Sequence, residues 1–264
     1  MNSKPKVHVL LPAYNEEKGL AEFLESILKI FQERNYRYQI IVCNDGSKDN
    51  TREILQNISK KNENIIILEH KINRGLGEAI RTLFEYVVEH SSDEDYVIRM
   101  DCDATHEAEY LDKIIDELRC GNDVVIASRF KKGGGQIGVP NSRIVLSKLA
   151  NLAFSIFFPT QNRIKEFTSG YRGYSASILK KAVLIYGNDL IQLKNMGFAC
   201  TVEKLVKLDL IGAQIVEVPF VLRYDKKLND SKMVTNITTY GYLIMILLYH
   251  WPRSGWKKVF KVKG

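Results

Sequence analysis

Five short apolar runs dominate the first half of the chain, at residues 7–12, 38–43, 65–68, 96–100 and 123–128, and a helical stretch follows each of the first four. Leu20, Phe23, Leu24, Ile27, Leu28 and Phe31 recur at the three-and-four spacing of one helix face. Most of the runs are apolar throughout, as in strands covered on both faces. Strand and helix in alternation, joined by short linkers, predict an α/β domain with a mostly parallel, doubly wound sheet. Ligands of such sheets gather outside the carboxyl ends of the strands, so function is expected in the polar loops there.

Four of those loops carry chemistry. The run at 96–100 delivers Asp101-Cys102-Asp103. Two carboxylates so close together suit a hard divalent cation, Mg²⁺ or Mn²⁺, and that cation suits a phosphate. The competing reading makes the aspartates caps for a helix beginning near Glu107. Asn44-Asp45-Gly46-Ser47 reads as a tight turn that leaves the Asp45 side chain free to accept hydrogen bonds from a base or ribose, though a purely turn-forming aspartate has the same signature. Arg74-Gly75-Leu76-Gly77 offers glycines for close backbone approach and an arginine for a phosphate. It is not the dinucleotide fingerprint, which needs a full GxGxxG after the first strand. Tyr14, Asn15 and Glu16 follow the strand that stops at Pro12, and Asn15 is equally readable as a helix cap.

The second half is less regular. Residues 131–138 read as a flexible glycine-rich loop, either closing over a ligand or simply solvated. A helix carrying Arg143 follows, then a polar turn at 166–172, a helix from Ser175, a helix at 201–210 containing Glu203 and a strand at 214–218. Arg129, Arg143, Arg172 and Arg223 stand at element ends, where they can converge on a phosphate or serve as ordinary surface charge. A net charge of +7 favours an anionic partner. Cys43, Cys102, Cys120 and Cys200 form no CxxC pair, which points to a reducing cytosol and away from structural zinc. The N-terminus shows no apolar signal-peptide region, so the sequons at Asn57, Asn229 and Asn236 are expected to be coincidental. Residues 240–251 are apolar but far shorter than the roughly 20 needed to span a bilayer. From Trp251 on, Arg253, Lys257, Lys258, Lys261 and Lys263 interleave with Trp251, Trp256 and Phe260, which suits an anionic membrane surface, the competing reading being an ordinary core helix with a basic tail. No recognisable nucleic-acid module accompanies them, so no nucleic-acid partner is expected.

Taken together the blocks resemble family 2 glycosyltransferases of the GT-A fold, close to the dolichyl-phosphate mannose synthases. Those carrying the resemblance are Leu11-Pro12-Ala13-Tyr14-Asn15-Glu16, Asn44-Asp45-Gly46-Ser47-Lys48-Asp49, Arg74-Gly75-Leu76-Gly77, Asp101-Cys102-Asp103, Ser128-Arg129-Phe130, Gly133-Gly134-Gly135, Ser142-Arg143 with Asn151, and Thr168-Ser169-Gly170-Tyr171-Arg172. The resemblance implies a metal-dependent, inverting transfer of a hexose, mannose first, from GDP-mannose or a UDP-hexose to a polyprenyl or dolichyl phosphate. It implies an enzyme peripheral on the cytosolic face of a membrane, with a small membrane-anchoring subunit as a further partner. Pro12, Tyr14, Glu16 and Asp45 would hold the nucleoside, with Arg74 beside them. Asp101 and Asp103 would bind the metal and, with Arg129, form the catalytic set. Arg129 and Arg143 would hold the acceptor phosphate, and Arg223 and Lys232 would approach the phosphates on a closing segment.

Two departures stand out: Thr105 replaces the family's frequent Gln, and the closing R-x-x-G-x-S-K block lacks its glycine between Arg223 and Ser231-Lys232. The expected division is a transferase domain at 1–232, split into a nucleotide-sugar half (1–130) and an acceptor half (131–232), and a membrane-proximal segment at 233–264. The alternatives are transfer to a glycan hydroxyl in cell-surface polysaccharide synthesis, or a non-catalytic subunit that binds sugar nucleotides.

Overall fold

The computed structural model describes residues 4–228, 235–251 and 255–256. The first half runs β1 (Lys6–Ala13), α1 (Leu20–Glu33), β2 (Arg37–Asp45), α2 (Thr51–Ser59), β3 (Ile65–His70), α3 (Leu76–His90), β4 (Tyr96–Arg99), α4 (Leu111–Arg119) and β5 (Val124–Ser128). Most of the apolar runs are strands covered on both faces: Val9, Leu10 and Leu11 are fully buried, as are Ile40, Ile41 and Val42, whereas β3, at the edge of the sheet, is at most half-buried beyond Ile65. α1 buries Leu20, Phe23, Leu24, Ile27 and Phe31, the face its spacing predicts. The helix expected from Glu107 starts later, with a short 3-10 turn at Ala108–Tyr110 preceding α4.

The second half adds β6 (Gly135–Ile137), α5 (Asn141–Phe157), β7 (Arg172–Ser175), α6 (Ala176–Tyr186), α7 (Ala199–Leu210), β8 (Ile215–Pro219), β9 (Val221–Arg223) and α8 (Thr235–His250). One seven-stranded sheet has the order β3-β2-β1-β4-β7-β5-β8. β7 is antiparallel to both neighbours, β4 and β5, and the other pairs are parallel. Sequence reasoning missed this strand, reading a polar turn and then a helix from Ser175. Ser175 is instead the cap of α6, its hydroxyl accepting the Ile178 N–H at 3.3 Å. Arg-Gly-Tyr-Ser carries almost no strand signal, and the two flanking strands decide its place. Gly173 makes the packing possible, since a Cβ there would stand 2.3 Å from the Ile114 side chain. The expected loop at 131–138 also contains a strand, for β6 pairs with β9 in a separate two-stranded sheet.

Hydrophobic cores lie on both faces of the large sheet, one beneath α1 and α4 and the other beneath α3, α6, α7 and α8. The second contains a buried lysine. Lys204 on α7 is 1% exposed, with its ammonium 4.7 Å from the centroid of the Phe84 ring, and burial lowers its pKa to about 7. The unfolded chain, with an ordinary lysine, holds a proton that the folded chain releases between pH 7 and the usual 10.5. Lys204 therefore costs stability at neutral pH, and that cost shrinks as pH rises through this window. Lys204→Met is expected to raise stability at pH 7 by roughly 3 kcal/mol and to flatten the wild-type rise toward pH 10, measured by urea unfolding. Unchanged pH dependence in the variant would refute this account.

Candidate active site

β4 ends in the centre of the sheet, and its loop carries the paired aspartates onto the wall of a cavity. Neither aspartate caps a helix: the 3-10 turn begins after Glu107 with no side-chain cap. Asp101 is held from below, its Oδ1 2.6 Å from Nη2 of the buried Arg99. Its backbone N–H donates to His106 Nδ1 at 2.9 Å. The imidazole stacks on Tyr171 at 5.2 Å and meets the edge of Phe220, and burial pushes its pKa down, favouring the neutral acceptor. Asp103 accepts the Thr105 N–H at 3.1 Å through Oδ1 and faces Lys227 Nζ at 2.7 Å through Oδ2. Burial alone would raise the Asp103 pKa, but Lys227 and the neighbouring donors outweigh it and hold the carboxyl below its ordinary value.

Hard oxygen donors of this kind fit Mg²⁺ or Mn²⁺, and the ammonium on Asp103 shows that the pair draws a cation. Among the described residues no cluster of three or more His, Cys, Asp or Glu side chains forms a complete metal cage. Two carboxylates still suffice for such an ion, since substrate phosphates and water commonly fill its remaining positions.

At the same end of the sheet, the loops after β1 and β2 are stitched together. The Asn15 N–H donates to Ser47 Oγ at 3.0 Å, the Glu16 N–H to Thr51 Oγ1 at 2.7 Å and the Lys48 N–H to Asn15 Oδ1 at 2.8 Å. Asn15, with a positive φ of 52°, thus ties two loops together, and α1 begins only at Leu20. Pro12 pairs with Cys43 in the β1–β2 register, which brings Tyr14 and Glu16 to the same sheet end as Asp45. The Asp45 carboxylate is not free as the sequence suggested. Oδ1 accepts the Arg74 N–H at 2.9 Å and lies 2.6 Å from His70 Nδ1, while Oδ2 accepts the Gly75 N–H at 2.8 Å and Asn73 Nδ2 at 3.0 Å. Four bonds use the lone pairs of both oxygens, so Asp45 shapes the glycine loop. Arg74, whose side chain is 44% exposed, reaches toward Glu78 at 3.5 Å.

The cavity, about 470 Å³, has two ends. Asp101, Asp103, Arg129, Arg143 and Lys227 line the polar one, and Leu146, Leu149, Ala153, Phe154, Leu243 and Ile246 line a lane between α5 and α8. Arg129 is clamped by Glu166, Nε to Oε2 at 2.8 Å and Nη2 to Oε1 at 2.9 Å, and also donates to Thr168 Oγ1. Arg143 donates to Tyr224 Oη at 2.9 Å. The other two arginines lie elsewhere. Arg172 is buried and donates to the carbonyls of Thr201 and Phe167, because a β7 side chain on that face points into the core. Arg223 pairs with Asp225 at 2.7 Å and Glu107 at 3.7 Å and is not among the cavity-lining residues. Lys232 lies outside the described residues.

His106, Glu166 and Lys227 escaped sequence reasoning. His106 leaves a trace, sitting one turn beyond Asp103, but Lys227 is one of two adjacent lysines with nothing to single it out. Glu203 is structural, accepting the N–H groups of Gln192 and Leu193 and pairing with Lys207 inside the core.

A mostly parallel sheet with this antiparallel insertion, and paired carboxylates at its centre, is the GT-A glycosyltransferase architecture. Residues 8–184 match the profile of glycosyl transferase family 2, and the chain belongs to that family. It is 33% identical to a dolichol-phosphate mannosyltransferase of Pyrococcus furiosus over 81% of its own length, though it spans 56% of that longer protein. With an undecaprenyl-phosphate mannosyltransferase of Micrococcus luteus it shares 27% identity over 89% of this chain and 94% of the relative. A mannosyltransferase of Pyrobaculum calidifontis, solved in complex with GDP-Man and Mn²⁺, has a similar fold, with a TM-score of 0.53 and 18% identity over 84% of this chain and 57% of that one. The protein is thus a family 2 glycosyltransferase.

Proposed function

We propose that this enzyme transfers a hexose, mannose in the first instance, from a nucleotide diphosphate sugar to a polyprenyl phosphate, with inversion at the anomeric carbon. The observation that carries the reading is the two-ended cavity, which joins the aspartate pair and two arginines to an apolar lane open along α5 and α8. An acceptor with a charged head and a hydrocarbon tail matches both ends. The names of the two curated relatives support the same acceptor class.

Asp101 and Asp103 would hold Mg²⁺ or Mn²⁺, which when bound neutralises charge on the departing diphosphate. The loops of Pro12, Tyr14, Glu16 and Asp45 would seat the nucleoside, with Arg74 at their edge. Arg129 and Arg143 would orient the acceptor phosphate. Among the described residues, Asp101 and Asp103 are the only carboxylates lining the cavity. Both are assigned to the metal, and the neutral His106 beside them has Nδ1 engaged by the Asp101 N–H; a phosphate monoester oxygen, already ionised, needs no general base.

The test is a panel of GDP-mannose, UDP-glucose and related donors with a short polyprenyl phosphate and Mn²⁺ or Mg²⁺. An organic-extractable, mild-acid-labile product of inverted configuration, made best from GDP-mannose, is expected. A product of retained configuration, or elongation of a water-soluble glycan, would contradict the proposal.

Among the described residues no helix is long and apolar enough to cross a membrane. Membrane contact was expected from residues 233–264, whose basic positions Arg253, Lys257, Lys258, Lys261 and Lys263 all lie outside the described residues. α5 adds a second apolar stripe. Val145, Leu149, Leu152 and Ile156 recur on one face, and Tyr240, Leu243, Leu247 and Trp251 form the stripe of α8, every one of them at least 55% exposed. Phe154 packs edge-on against Tyr242 at 4.8 Å and Phe158 against Tyr249 at 4.7 Å, so the two helices lie side by side. These stripes would lay the cavity mouth on the bilayer surface. Replacing Leu152 and Leu247 by aspartate is expected to cut flotation with anionic phospholipid vesicles about tenfold while sparing transfer to a short soluble acceptor. Undiminished flotation would place the membrane contact elsewhere.

A further inference from the structure

Each aspartate of the pair already has a cation, and the two cations differ in kind. Arg99 is 1% exposed, and its Nη1 lies where a Cβ on Gly170 would be 1.7 Å away, so it is packed flat against bare backbone. Among the described residues none of its three guanidinium nitrogens makes a well-formed hydrogen bond, which leaves the Asp101 carboxylate, with Oδ1 2.6 Å from Nη2, as its counterion. A buried arginine so dependent on one carboxylate cannot leave it cheaply. Lys227 is different: it sits on the turn after β9, lines the cavity, keeps 20% of its side chain exposed and ends a flexible four-carbon stem.

The charge balance follows. Two carboxylates and two side-chain cations leave the aspartate pair near neutrality, and Arg143 adds positive charge at the same end of the cavity, so a divalent cation arriving alone creates a surplus of positive charge. A donor diphosphate brings the negative charge that offsets it. We propose that Lys227 is the exchangeable counter-cation of this site: it occupies Asp103 until metal and donor bind together, then transfers to the donor's diphosphate, while Arg99 remains on Asp101. This rests on reading Asp101 and Asp103 as metal ligands, and it makes metal and donor binding mutually dependent through one lysine.

The test titrates Mn²⁺ into the full chain, followed by electron paramagnetic resonance and calorimetry, with and without GDP or UDP. Wild type should bind Mn²⁺ weakly alone and more tightly with nucleotide. Lys227→Gln should bind Mn²⁺ alone at least about tenfold more tightly, yet bind the nucleotide more weakly in the presence of Mn²⁺. Lys227→Met should repeat both changes, Lys227→Arg should restore wild-type behaviour, and Lys226→Gln, which alters only the neighbouring contact with Glu107, should change neither. A lysine that merely packed the loop would not yield these opposite signs. If Lys227→Gln and Lys227→Met bind Mn²⁺ alone no better than wild type while nucleotide still promotes Mn²⁺ binding, this inference fails and the metal site stands. If Mn²⁺ binds under no condition, the metal reading itself fails and takes the inference with it.

Discussion

Asp103→Asn should lower sugar transfer by at least about 10³-fold while leaving the circular dichroism spectrum unchanged. The amide keeps the size of the side chain and can still accept from Thr105, so the turn after β4 survives. What it removes is the negative charge that faces Lys227 at 2.7 Å and on which the proposed metal site depends. In the proposed transfer, charge on the diphosphate grows as the sugar leaves, and stabilisation aimed at developing charge is where most of a transferase's rate advantage arises. The measurement is kcat/KM for the extractable product at saturating Mn²⁺. Retention of more than about a tenth of wild-type activity, well short of the expected loss, would show that Asp103 is not a catalytic metal ligand.

The second large effect is on stability. Glu166 is fully buried, receives two bonds from Arg129 and accepts the N–H groups of Thr168 and Ser169, both at 3.0 Å. Burial pushes its pKa up, but Arg129 and the turn donors prevail and hold it below the ordinary glutamate value. Removing one partner of a buried pair strands the other, at a cost of about 3–5 kcal/mol, so Glu166→Ala should lose that much in urea unfolding. The carboxylate's own contribution is present above the unfolded glutamate pKa and vanishes as pH falls through its lowered folded value. Glu166→Gln should therefore flatten the acid limb of the stability curve, below about pH 4. A Glu166→Ala loss under about 1 kcal/mol would mean that solvent or a neighbour readily replaces the carboxylate.

The five strand runs and the α1 face were legible because strand and helix periods are local properties of the chain. The aspartates of β4 were legible as a pair because one residue separates them. β7 was not, because Arg172–Ser175 becomes a strand only when β4 and β5 flank it. The same holds for the arginines: 129 and 172 looked alike in sequence, yet one lines the cavity and the other is sealed in the core.

By itself, then, the sequence determined the fold class and the loops that carry chemistry, since alternating apolar runs bury themselves in only a few ways and strand ends collect polar residues. Only the tertiary structure decided which charges meet: that Lys227 reaches Asp103 across 124 positions, that Glu166 clamps Arg129, and that the Asp45 carboxylate is spent on the glycine loop after β3. Charge partners are chosen by distance and burial, and neither exists until the chain has closed on itself.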